Sequence, residues 1–321
     1  MTTGTENYTN AVITSMQNEV KKCTSTNISL SGGIDSSILL YLLKDKIINA
    51  ITITLEDFKS LDLKYAQYIT NKFGIKLNIL KISNNEIISA IDNTIKILKN
   101  FNDIEIRNSV IMYLVLKYIK NTKYKNIITG DGADELFFGY NYMLKKNMNE
   151  LHNEFQRILN IMHFPVLKLG NALNIKIETP FLHNAIIKLA EHIPINLKIN
   201  LHNNIKYGKW ILRKSFEKYL PNLIIWREKL PIQNGTGSAN LTDFFHNLIN
   251  DQIFKERSNN IYYKDNVIIR SKESLYYYEI FRKYYDAPYK LNDSTSHVCT
   301  NCKYKKKTNS KFCSMCGSFP I

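Results

Sequence analysis

Apolar positions in the first 150 residues follow two alternating rhythms. Short runs at Asn27–Leu30, Ala50–Thr54, Lys76–Ile82 and Asn126–Thr129 have the length and β-branched content of buried strands. Between them, Ser36–Leu43, Leu61–Phe73, Glu86–Leu98 and Asn108–Lys120 repeat apolar residues at helical spacing. Strands alternating with helices predict an α/β fold, a parallel sheet covered on both faces. From about Leu151 to Tyr285 only the helical period remains, in Ile158–Leu169, Ala185–Ile193, Trp210–Leu220 and Leu241–Phe254. Two irregular stretches interrupt it, Asn200–Lys206 and Trp226–Ser238, and the second is too charged and glycine-rich to be core. Asp286–Ser296 is a polar connector, and no internal repeat is visible.

Two glycine-rich segments directly follow strand candidates. In a sheet of this kind ligands sit beyond the carboxyl ends of the strands, so the two are expected to face one crevice. The first, Ser29 to Ser37, reads Ser-Leu-Ser-Gly-Gly-Ile-Asp-Ser-Ser. Its glycines let backbone N–H groups approach phosphate oxygens, and the helix that follows points its positive end at them. Ser31, Ser36 and Ser37 add hydroxyl donors, and Asp35 can hold magnesium beside the phosphates. A plain helix cap would not need two glycines and a carboxylate set among serines. No Gly-x-x-x-x-Gly-Lys-Ser/Thr loop occurs in the chain. The second segment, Thr129 to Tyr140, carries Asp131, Asp134 and Glu135 within five positions. Carboxylates so close repel, and a metal or a proton relieves the repulsion. An acidic helix start favoured by the dipole is the plainer reading. Beside the first segment, the metal reading is preferred, with Asp134 completing a magnesium site begun by Asp35.

Ser31-Gly32-Gly33-Ile34-Asp35-Ser36 resembles the pyrophosphate-binding loop of the ATP pyrophosphatase (PP-loop) superfamily. Taken with Gly130-Asp131-Gly132-Ala133-Asp134-Glu135-Leu136-Phe137-Phe138-Gly139-Tyr140, it resembles the synthetase domain of class B asparagine synthetases and their relatives, β-lactam synthetases included. Thr179-Pro180-Phe181-Leu182-His183 is similar to that family's Arg-Val-Pro-Phe-Leu-Asp stretch. Lys206 with Leu212-Arg213 resembles its Lys…Leu-Arg element, and Trp226-Arg227-Glu228-Lys229 its Arg-x-Lys loop. The likeness covers roughly residues 25 to 245, in order. It implies an adenine-nucleotide α-hydrolase-like parallel-sheet domain with a mainly helical C-terminal part. The implied enzyme is an AMP-forming carbon–nitrogen ligase that adenylates a carboxylate (aspartate or an analogue) and passes it to ammonia or another amine. It further implies that Leu30, Ser31, Gly32, Gly33, Asp35, Ser36 and Gly130 bind ATP and pyrophosphate. Asp35 and Asp134 would hold Mg2+, Lys206 and Lys229 would meet developing negative charge, and Asp131 would handle the amine proton.

Thr2 stands where that family's glutaminase domain has its cysteine, and only about 25 residues precede the first strand. A synthetase without a glutaminase domain is therefore expected, taking ammonia from solution or from a separate subunit. The family's Glu-x-Arg appears as Lys176-Ile177-Glu178-Thr179, and its closing Asp is His183. An altered acceptor pocket is expected from these shifted charges.

Four of the five cysteines lie in the last 23 residues, as Cys299-x-x-Cys302 and Cys313-x-x-Cys316 followed by Gly317. Two such knuckles supply four thiolates, the pattern of a structural zinc ribbon binding Zn2+. So short a module holds little apolar content, so metal supplies much of its folding energy. Its tip, Lys303-Tyr304-Lys305-Lys306-Lys307, suits RNA or DNA phosphates, or docks on protein. This keeps a second reading open, a tRNA-modifying PP-loop enzyme. The whole chain, 321 residues at net charge +15, leans toward polyanions, although its wealth of Lys, Asn, Ile and Tyr is also what an AT-rich genome produces. No run nears the roughly 18 apolar residues of a membrane span, and the polar N-terminus lacks a signal core. A reducing cytoplasmic location without membrane contact is expected. The implied organisation is an extension at 1–24, a synthetase-like domain at 25–285 (helical from about 151), a linker at 286–296 and a zinc ribbon at 297–321.

Overall fold

The computed structural model describes residues 3–56, 60–228, 241–292, 297–306 and 311–320. Helix α1 (Thr3–Val20) precedes strand β1 (Asn27–Ser29). Then come α2 (Ile34–Leu42), β2 (Asn49–Leu55), α3 (Leu61–Phe73), β3 (Leu77–Ile82), α4 (Asn84–Leu98), α5 (Asp103–Lys120) and β4 (Asn126–Ile128). Local chemistry sets several boundaries. Ser60 caps α3 by accepting from the Leu63 N–H at 3.3 Å, and Ser83 with Glu86 forms a capping box on α4. After β4 follow α6 (Ala133–Phe137), α7 (Met148–Ile161), α8 (Pro165–Leu173), β5 (Lys176–Glu178), α9 (Asn184–His192) and α10 (Ile195–Lys198). A hairpin of β6 (Asn200–His202) and β7 (Ile205–Tyr207) leads to α11 (Trp210–Phe216) and α12 (Asn222–Ile225). Helices α13 (Leu241–Leu248), α14 (Asp251–Asp265) and α15 (Lys272–Tyr284) complete the body.

Strands β1 to β5 form one parallel sheet in the order β3-β2-β1-β4-β5. The chain winds outward from β1 to β3, then crosses back and continues from β4. The order therefore reverses between β1 and β4, and a crevice opens beyond their carboxyl ends. Strand residues alternate between two cores. Ile51, Ile53 and Ile127 join a cluster with α4, α5, α8 and α15, whereas Ile28, Ala50 and Ile128 join one with α1, α2, α6 and α11. Val12, Met16 and Val20 of α1 are buried in this second core, so the stretch before β1 is an integral helix of the body.

The structure departs from the sequence expectations in four places. The span Ile158–Leu169 is two helices, because Pro165, with no N–H to donate, starts α8 instead of continuing α7. Leu241–Phe254 also divides, at Asn250, whose side chain accepts from the Ile253 N–H at 2.8 Å and caps α14. Asn200–Lys206, expected to be irregular, is most of the β6–β7 hairpin. Asn203 and Asn204 take left-handed φ values of 48° and 63°, as a two-residue hairpin turn requires. Strand β5 was not anticipated: three residues with charged ends, paired on one side only, leave no periodic signal. Trp226–Ser238 lies outside the described residues beyond Glu228.

Candidate active site

The loops after β1 and β4 face each other across a cavity of about 910 Å³. Leu30 anchors the first loop, its N–H bonded to the Ile51 carbonyl at 2.8 Å. Gly32 turns the chain with φ +67°, and a Cβ there would lie 2.5 Å from the Ala66 backbone nitrogen of α3. The Ser31 hydroxyl accepts from the Gly33 N–H at 3.2 Å and lies 3.3 Å from the Ser36 hydroxyl. Gly130 of the second loop sits against Asp35. Ser37 is fully buried beneath the loop.

Asp35, on the first turn of α2, and Asp134, on the first turn of α6, meet at one point. The Lys209 ammonium lies 2.5 Å from a carboxylate oxygen of each. Lys209 is 2% exposed, at the foot of α11, and its N–H bonds the Phe137 carbonyl at 2.9 Å. Desolvation pushes its ammonium down, but the two carboxylates together outweigh burial and hold it above the ordinary lysine value. Gly139 makes room for this pairing, since a Cβ there would collide with the Asp134 carboxylate and the Lys209 side chain. The other Asp35 oxygen, Oδ1, is buried without a hydrogen-bond partner. Two carboxylates converging on one cation, with a spare buried oxygen, form a donor set that fits a magnesium ion.

The remaining carboxylates of the acidic loop go elsewhere. Asp131 accepts from the Thr129 hydroxyl at 2.5 Å, and burial pushes its carboxyl above the usual range. Glu135 accepts from the Tyr140 hydroxyl, and burial raises it as well. Arg227 reaches the first loop by donating Nη1 to the Ser31 carbonyl at 3.4 Å, and it packs on α3 with Nη2 2.6 Å from Asp62 and its guanidinium 3.8 Å above the Tyr65 ring. Arg213 is buried and donates to the Gly208, Ile225 and Arg227 carbonyls, so it fastens the segments that carry Lys209 and Arg227.

Two described lysines line the cavity, in different ways. Lys206 stands at the rim on β7, exposed, and donates to the Leu144 carbonyl at 2.6 Å. Lys209 enters the site instead. The clue was its place directly before Trp210-Ile211-Leu212-Arg213 and after Gly208, nearer the Leu-Arg element than Lys206 is. Lys229 lies outside the described residues. The shifted charges near Pro180 turn away from the cleft. Glu178 accepts from the backbone and hydroxyl of Thr24 and from the Ser25 N–H, while His183 Nδ1 lies 2.8 Å from Glu19 of α1. Together they line a separate open hollow of about 570 Å³ beside α1.

The four C-terminal cysteines are buried, and their sulfurs lie within 4.8 Å of one another. Cys299 and Cys316 are 3.7 Å apart, and Cys302 and Cys313 3.6 Å. A tetrahedral metal with bonds of about 2.3 Å separates its sulfurs by about 3.8 Å, so the cluster fits such an ion. Lys303 and Gly317, one after each knuckle, are both left-handed, with φ of 59° and 76°. The module docks on its own chain. Phe101 N–H bonds the Met315 carbonyl at 3.0 Å, Ile268 N–H the Asn301 carbonyl at 2.8 Å, and Arg270 the Cys316 carbonyl at 2.7 Å. Tyr304 packs against the first core. No described helix is long and apolar enough to cross a membrane.

A parallel sheet with a serine–glycine loop and an acidic loop at its switch point defines an ATP-binding protein of the PP-loop class. The chain belongs to the asparagine synthase family, whose sequence pattern matches residues 8–176 and 151–303. It is 30% identical over 283 residues to asparagine synthetase B (glutamine-hydrolyzing) of Escherichia coli, covering 81% of this chain and 50% of that one. It is 32% identical over 278 residues to the glutamine-hydrolyzing asparagine synthetase of Gallus gallus, covering 80% and 48%. The chain thus spans about half the length of these curated relatives. A crystal structure described as a predicted subunit of a tRNA methyltransferase from Methanocaldococcus jannaschii superposes with a TM-score of 0.28. It is 17% identical, with 60% of this chain and 87% of that one covered, a likeness too low to bear on function.

Proposed function

We propose that the protein is an AMP-forming amide ligase that adenylates a carboxylate and transfers the acyl group to ammonia or another amine. The observation that carries this reading is the meeting of Asp35 and Asp134 at Lys209, at the carboxyl ends of β1 and β4. Membership of the asparagine synthase family supports it. A substrate carboxylate oxygen attacks the α-phosphorus of ATP, the α–β phosphoanhydride bond breaks, and pyrophosphate leaves. An amine nitrogen then attacks the acyl carbon, AMP leaves, and the surplus amine proton passes to a base. Residues Ser31 to Ser36 cradle the pyrophosphate, with Gly130 opposite. Asp35 and Asp134 would hold magnesium, which neutralises phosphate charge when bound. Lys209 balances the two carboxylates. Lys229, beside Arg227 in sequence, is assigned to the same task, and Lys206 to the rim. Asp131, facing the cleft, is the proposed proton acceptor.

Residues 25–285 are read as the catalytic domain, with α1 packed on it, 286–296 as the linker, and 297–321 as a zinc module suited to a reducing cytoplasm. The module's seat on its own body, with Tyr304 engaged, favours structural zinc over a free RNA-binding finger. ATP–pyrophosphate exchange over a panel of carboxylates, with and without ammonium, tests the reaction. Carboxylate-dependent exchange that disappears in Asp35→Ala is expected. Exchange unaffected by that substitution would refute the reading, and RNA-dependent turnover would replace it.

A further inference from the structure

The cleft continues well past the phosphate loops, along α5. Met112 lies level with the sheet edge, its sulfur 3.8 Å from the Ser29 hydroxyl of β1. Glu105 is two turns nearer the start of α5, about 10 Å farther out at 1.5 Å per residue, and lines the same cavity. At that outer end four apolar side chains converge from three parts of the chain. They are Ile104 on α5, Phe164 and Pro165 at the α7–α8 corner, and Phe312 of the cysteine module. Ile104 is 49% exposed and so offers apolar surface to the cavity beside Phe164 and Phe312. Phe312 directly precedes Cys313, and the bonds from Phe101 to Met315 and from Arg270 to Cys316 hold that knuckle in place.

The polar groups among them are settled or one-sided. His163 Nε2 and Glu105 pair at 2.8 Å, and the same carboxylate accepts from Asn100 at 2.8 Å. Asn108 Oδ1 is buried with no hydrogen-bond partner, an acceptor waiting for a donor. The lysines and arginines described around the cavity are already engaged. Lys206 donates to Leu144, Lys209 to Asp35, Arg213 to backbone carbonyls and Arg227 to Asp62. Among the described residues, then, no cation awaits a second carboxylate of an acidic substrate.

From this arrangement we infer that the outer end of the cleft is the acyl-substrate pocket, walled in part by Phe312. It takes an aromatic or aliphatic monocarboxylate bearing an amino or amide donor, in preference to a dicarboxylate such as aspartate. Ile104 and Phe312 are its specificity-determining residues. The cysteine module is then part of the substrate site, because its knuckle sets where Phe312 stands. This inference rests on the adenylation reading for its chemistry but not for its geometry.

The test is ATP–pyrophosphate exchange by the full-length metal-loaded protein with 4-aminobenzoate, phenylalanine, aspartate and glutamate. At least one aromatic carboxylate should show a KM about tenfold or more below that of aspartate. Ile104→Ala and Phe312→Ala should each raise that KM by about tenfold, with the KM for ATP within about twofold of wild type and metal content unchanged. The Ile104 side chain is exposed and takes no part in the bonds that seat the module, so its substitution reads the pocket even if Phe312→Ala disturbs the module. Preference for aspartate, or a carboxylate KM unmoved by both substitutions, overturns the inference. If no carboxylate supports exchange, the adenylation reading fails and ligand-induced thermal shifts decide the pocket. A shift with 4-aminobenzoate or phenylalanine but not aspartate, lost in Ile104→Ala, upholds it, and no selective shift overturns it.

Discussion

The cysteine module gathers four ligand atoms from 18 consecutive residues, whereas the cleft gathers Asp35 and Lys209 from positions 174 apart. Two tight turns, at Lys303 and Gly317, bring the module's sulfurs together. The cleft needs a parallel sheet, a reversal of strand order and a buried lysine. One site is local, with sulfurs spaced to fit a metal ion. The other is non-local and draws its order from the two hydrophobic cores that hold β1, β4 and α11 in register. The difference predicts that each can be damaged without the other. It also predicts where they interact, at Phe101, Arg270 and Phe312, where the module rests on the body and faces its cavity.

The sharpest break should come at the carboxylates. Asp35→Ala and Asp134→Ala should each lower exchange by about a thousandfold while the module keeps its metal, measured by elemental analysis. Loss of both properties together would show that the sites are not separable.

Lys209→Met leaves two carboxylates facing each other at a largely enclosed point. Removing one partner of such a buried group is expected to lower stability by about 3–5 kcal/mol, read by denaturant unfolding. Added magnesium should restore part of the loss, since the same oxygens fit that ion. If magnesium restored nothing, Asp35 and Asp134 would not be its ligands.

On the module side, Cys302→Ser should abolish metal binding and lower stability by about 2–4 kcal/mol, because all four cysteines belong to the buried cluster that contains Phe101 and Tyr278. Nucleotide binding should survive. A melting midpoint unchanged in Cys302→Ser would show that the module adds nothing to the body.

Lys198 offers a smaller test, confined to the body. It is 1% exposed, 3.4 Å above the Phe155 ring, and burial pushes its ammonium down to about 7 from 10.5. Its folded value is depressed, so below pH 7 the native state carries a charge in apolar surroundings. That penalty shrinks as pH rises from about 7 and is gone above 10.5. Lys198→Met should therefore be more stable than the parent protein at pH 6, with the gain fading toward pH 10. A constant difference across that range would rule out titration as its source.

Asp131 gives the mildest and most specific effect. Burial raises its carboxyl, so it stays protonated to higher pH than a surface aspartate. Amide formation should rise with pH through that raised value, and Asp131→Asn should remove the limb. A limb near the ordinary value of about 3.9 would assign the proton to another group.

Much of this was legible from residues close in sequence. The four strand candidates in the first half, the serine–glycine loop, the acidic loop and the paired knuckles all depend on period, turn chemistry or short spacing. Lys209 was not legible in the same way. Its place beside Leu212-Arg213 was the only clue, and what turns it inward is the left-handed residue that starts α11 and the space left by Gly139. His183 and Glu178 show the converse. Their charges stood out in sequence as signs of an altered pocket, yet they bind α1 and the turn before β1.

The sequence by itself determined the alternating α/β pattern, the serine–glycine and acidic loops, and the four-cysteine set, because each is written in neighbouring residues. Only the tertiary structure decided that Lys209 pairs with Asp35 and Asp134, that α1 is core, and that Phe312 faces the cleft. Those outcomes depend on which elements approach one another once the apolar faces are buried. That approach is set by packing across the whole chain, which no short stretch of residues contains.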